Sequence, residues 1–73
     1  MPIRRLLDSN TFDSKEAARI TAAFNEVLQR LDIKRGAEPY REEQIARRVI
    51  AIAKRGPIDE SRIVAAALRE LAQ

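Results

Sequence analysis

The strongest constraint in this sequence is that apolar residues recur at spacings of three and four in three separate stretches. At about 100° of turn per residue, such spacing gathers them on one face of a helix. In the first stretch Ala17, Ile20, Ala23, Phe24, Val27, Leu28 and Leu31 share that face, while Arg19, Glu26, Gln29 and Arg30 lie away from it. This predicts a helix over residues 13–32. The second set is Ile45, Ala46, Val49, Ile50, Ile52 and Ala53, predicting a helix over 41–55. The third, Ile63, Val64, Ala67, Leu68 and Leu71, runs toward the end of the chain. Each helix is too short to be stable alone in water, so its oily stripe must be covered. The simplest mutual cover is a small all-α three-helix bundle over residues 13–73, preceded by a short amino-terminal arm at 1–12.

Punctuation between the stripes supports these limits. Asp13 can cap the first helix, with Glu16 three residues later to complete a capping box, and Phe12 and Ala17 stand at hydrophobic-staple spacing. The run IKRGAEPYRE breaks the pattern with Gly36 and Pro39, and Glu38 before the proline is biased away from helical geometry. Gly56 fits just past the second helix, whose last turn carries Lys54 and Arg55, favourable for the helix dipole. Asp59 is the expected cap of the third helix, bracketed by Ile58 and Ile63. Tyr40, beside Pro39, is expected at the edge of the core, locking the loop, with a binding role as the alternative.

Composition removes several functions. The 73 residues include no cysteine and no histidine. Disulfides, thiolate zinc sites and a cysteine nucleophile are therefore ruled out, and the commonest general base and metal ligand is missing. Ser9, Ser14, Ser61, Thr11 and Thr21 have no histidine to activate them, so no catalytic residue is expected and the protein reads as a non-enzyme. The carboxylate pairs Glu42–Glu43 and Asp59–Glu60 fall at helix starts, where capping explains them; no metal or other cofactor is expected. Gly36 and Gly56 are isolated, so there is no glycine-rich phosphate loop. No apolar run of about 18 residues predicts a membrane span. The opening MPIRRLLDSNTF lacks the continuous apolar centre of a secretory signal, which predicts a cytoplasmic setting. Ile3, Leu6 and Leu7 with Arg4 and Arg5 could form an amphipathic turn or a frayed end.

Charge is unevenly spread. The formal net charge is +3, and the excess sits on residues 41–55, where Arg41, Arg47, Arg48, Lys54 and Arg55 oppose Glu42 and Glu43. A DNA-reading helix-turn-helix presents the start of its second helix to base edges. Here that start is Asp59, Glu60, Ser61 and Arg62, whose carboxylates repel phosphate and suit capping instead. Ile52 stands where the turn wants a small residue, and Pro57 follows the glycine directly. The stretch therefore reads as a packing hairpin. The basic second helix is either a solvated face, partly paired through Glu43 and Arg47, or a docking stripe for an acidic protein surface or a phosphate backbone. On the first helix Ala18, Ala22, Asn25 and Gln29 share a flank that could form a seam between two copies, which would relieve the small-core problem.

The phrases TFDSKEAARITAAFNEVLQRL and IARRVIAIAKRGPIDESRIVAAAL together resemble short three-helix proteins of α-proteobacteria. Those share F-D at the first helix start, A-F in its middle, and A-x-x-I-x-x-x-A-x-x-G-x-x-D ahead of the last helix. The matching positions are Phe12-Asp13, Ala23-Phe24, Ala46, Val49, Ala53, Gly56 and Asp59, with Val49 in place of isoleucine. The resemblance implies a helical fold and a bacterial cytoplasmic origin, and it brings no activity. The expected function is a small non-enzymatic interaction or regulatory module acting through a helical surface, with self-association and an acidic protein partner in view. The alternative is a nucleic-acid-binding module that uses the basic second helix.

Overall fold

The computed structural model describes residues 12–72. Among them α1 spans Ser14–Arg30, α2 Pro39–Arg55 and α3 Glu60–Leu71. Every pair of helices is in contact, so the three enclose one interior. The sequence stripes meet there. Ile20, Phe24, Val27 and Leu28 of α1 face Ile45, Val49 and Ile52 of α2 and Ile63 and Ala67 of α3, all buried. Phe12, Ala17, Leu31, Ile58, Leu68 and Leu71 pack around this centre, half-buried. Arg48 points outward while its neighbour Val49 is fully enclosed.

The first helix begins as its sequence dictates. The Asp13 carboxylate accepts the Glu16 backbone N–H at 2.8 Å, and Glu16 returns the bond by accepting from the Asp13 N–H at 3.1 Å. Two of the helix's orphan donors are thereby satisfied. Its end is not marked by glycine. Asp32 adopts φ 59°, the Ile33 N–H donates to the Leu28 carbonyl at 2.9 Å, and the Asp32 N–H donates to Gln29 at 3.1 Å. This is a Schellman closure, and the buried pair Ile33 and Leu28 supplies its apolar contact. The helix thus stops at Arg30, two residues before the expected limit.

The second helix starts two residues earlier than the sequence reading, at Pro39. Proline at the first helical position loses nothing, because that N–H has no partner inside a helix. Gly56 ends α2, as expected, but at φ −167°, ordinary extended backbone. A Cβ there would lie 2.5 Å from Arg62 Nη2, so the glycine lets that side chain cross it. Asp59 caps α3 by accepting the Arg62 N–H at 2.9 Å.

Candidate functional site

The early start of α2 decides what its outer side looks like. With Pro39 as the first residue, Tyr40 falls on the same line as Gln44, Arg47, Ala51 and Lys54, turned away from the apolar stripe. Tyr40 is 80% exposed. The expectation of a core-edge residue locking the loop is therefore corrected: the ring sits at the head of α2's solvent side, and the loop is held by another residue.

That residue is Glu42, only 1% exposed. Both its oxygens accept the Gly36 N–H at 3.0 Å, and Oε2 also accepts the Glu38 N–H at 3.1 Å. Bonds from Gly36 hold its carboxyl below the usual glutamate range; burial works against this, while Glu38 and the nearby Arg35 charge assist. Glu42 thus does cap backbone donors, but those of the loop before the helix, from a fully enclosed position. The signal was present in the sequence. Residue 42 continues the apolar register of Ile45, Ala46 and Val49, and a carboxylate there has to find donors once buried. Its neighbour Glu43 faces outward and pairs with Arg47 at 3.1 Å, as the spacing of four predicts.

The five basic residues of α2 are all exposed but differ in their surroundings. Arg41 is 3.7 Å from Glu38. Arg48 and Arg55, on the edge nearer α3, share one carboxylate: Glu70 Oε1 lies 3.3 Å from Arg48 Nη1 and Oε2 lies 2.7 Å from Arg55 Nη2. The Arg55 hydrogen bond lowers the Glu70 carboxyl from its ordinary range, partial burial opposes the shift, and the Arg48 and Arg55 charges add to it. Lys54 alone of the five makes no ion pair among the described residues. The basic face of α2 is therefore divided. One edge is tied to α3, and the middle, with Tyr40, Arg47 and Lys54, stands outward.

On α1, Ala18 and Gln29 are exposed while Ala22 and Asn25 are half-buried. The Asn25 Oδ1 is enclosed and has no hydrogen-bond partner among the described residues. Between α1 and α3 runs a groove of about 150 Å³, lined by Glu26, Arg30, Ser61, Val64, Ala65 and Leu68. It is smaller than the roughly 300–1,000 Å³ usual for small-molecule sites. Among the described residues no three acidic side chains gather into a cation cage, and no helix is long and apolar enough to cross a membrane. Ile3, Leu6 and Leu7 of the arm lie outside the described residues.

No family model matches the chain, and neither a curated protein nor a solved structure shows significant similarity to it.

Proposed function

We propose that this protein is a small non-enzymatic interaction module that docks an acidic protein segment on the outer side of α2. The observation that carries the reading is Tyr40. Tyr40 is 80% exposed, so it buries little apolar area within the fold, and it stands on one line with Arg47 and Lys54. A tyrosine on the same helix face as cations offers apolar area at low entropic cost together with charge, the mixture enriched where proteins meet. The kinship with α-proteobacterial three-helix proteins, a cytoplasmic setting and self-association through Ala18, Ala22, Asn25 and Gln29 belong to the same proposal.

The test is a titration of isotope-labelled protein with a short aspartate-rich peptide, at low and high salt. Amide shifts clustered on Tyr40, Gln44, Arg47, Ala51 and Lys54, weakened by salt and lost in the Tyr40→Ser/Lys54→Gln variant, are expected. Silence on α2, or shifts spread evenly over α1, overturns the reading. The second reading, nucleic-acid binding, draws on the same ring, since an exposed aromatic among cations can stack a base. A mobility-shift titration at two salt concentrations separates them: tight, steeply salt-dependent binding of an oligonucleotide favours nucleic acid.

A further inference from the structure

The five cations of α2 differ in one respect that bears on how the face would be regulated. Arg48 and Arg55 stand one above the other, seven residues apart, and both reach Glu70 near the end of α3. Their own side chains remain 51% and 60% exposed, and that of Glu70 is 30% exposed. Two guanidiniums thus grip one carboxylate at the surface, leaving one positive charge uncompensated and several N–H donors turned to water. The pair is spaced to hold a carboxylate, because the fold already supplies one.

We propose that Glu70 is an intramolecular competitor for the docking face: it occupies Arg48 and Arg55 as a partner's carboxylate would, and an acidic segment binds fully only by displacing it. The inference rests on the docking reading above and concerns its regulation. Tyr40 and Lys54 form the part that is always open, Arg47 stays tied to Glu43 on its own helix, and Arg48 and Arg55 form the part that opens on exchange. Displacement is easy. An ion pair this exposed contributes little to holding α3 in place, since solvent screens it and two long side chains must be ordered to make it.

The experiment compares the full chain with its Glu70→Gln variant, titrated with the aspartate-rich peptide. Removing the competitor should tighten binding about two- to fivefold, the equilibrium equivalent of one exposed ion pair. In the unaltered protein the Glu70 carboxyl carbon and the Arg48 and Arg55 Nε resonances should move together as peptide is added, which needs no variant to fold. The Arg48→Gln/Arg55→Gln/Glu70→Gln protein should lose the gain. Glu26→Gln raises the net charge by the same amount and unpairs Arg30 on α1, so a matching gain there would assign the effect to overall charge and overturn the proposal. Peptide bound at Tyr40 and Lys54 with equal affinity for both proteins, and with Glu70 undisturbed, refutes the competition and leaves the docking reading standing. Absence of binding by either protein removes both.

Discussion

Gly36 offers the sharpest test of how this fold is held. It lies in the α1–α2 loop at φ +84°, and a Cβ built on it meets nothing within 4 Å. Adding a methyl group there therefore changes the backbone preference and nothing else. An L-residue in this left-handed region costs roughly 1–2 kcal/mol. Restricting the unfolded chain returns about 0.4–1 kcal/mol. Gly36→Ala should thus lower stability by about 1 kcal/mol. A chain of 73 residues is within reach of chemical synthesis, so the same position can carry D-alanine. That residue favours positive φ, keeps the unfolded-state gain and should raise stability by about 0.4–1 kcal/mol. With a urea slope of about 1 kcal/mol/M for a domain this small, the two proteins should unfold about 1–2 M apart, on opposite sides of the parent. Circular dichroism during urea titration measures it. Equal midpoints for the two hands, or an L-variant more stable than the parent, would refute the reasoning.

Other outcomes follow from the same geometry. Asp32 places a carboxylate just past the α1 carbonyl end at φ 59°; Asp32→Asn keeps a residue tolerant of that backbone, removes the unfavourable charge and should stabilise by about 0.3–1 kcal/mol at low salt, with a fall in the thermal midpoint counting against it. Ile45→Val removes one methylene from a site 1% exposed and should cost about 1 kcal/mol by urea titration. Glu42 and Glu70 are both held below the ordinary value of 4.5, so the folded chain takes up their protons less readily than the unfolded one. Their contribution is complete above that value and is lost as pH falls through their folded values. Glu42→Gln should therefore be less stable than the parent at neutral pH and show a shallower loss on acidification; an unchanged acid slope would exclude Glu42 as its source.

Most of the fold could be read from the sequence because its signals are local. The Asp13–Glu16 box, the Asp59 cap and the three apolar registers each depend on residues within a turn or two, and each appears as read. The α1 exit was less visible: an aspartate in the left-handed region is an uncommon closure where glycine is the usual sign. The start of α2 was displaced by treating Pro39 as loop punctuation, although proline also suits a first helical position. That shift of two residues carried Tyr40 from the expected core edge into solvent. Glu42 was hidden by its charge, since a carboxylate on an apolar register is read as an exception until its donors are known. The division of the basic stripe could not have been seen, because Glu70 lies 22 residues from Arg48 and 15 from Arg55. Only the packing of α3 against α2 brings them together.

The Glu42 tie has a kinetic consequence. It closes loops of only six and four residues, so little chain freedom is lost in making it. The turn joining the first two helices is therefore expected to close before the last helix docks. Substitutions beside that turn should slow refolding, whereas those in the final helix should chiefly hasten unfolding.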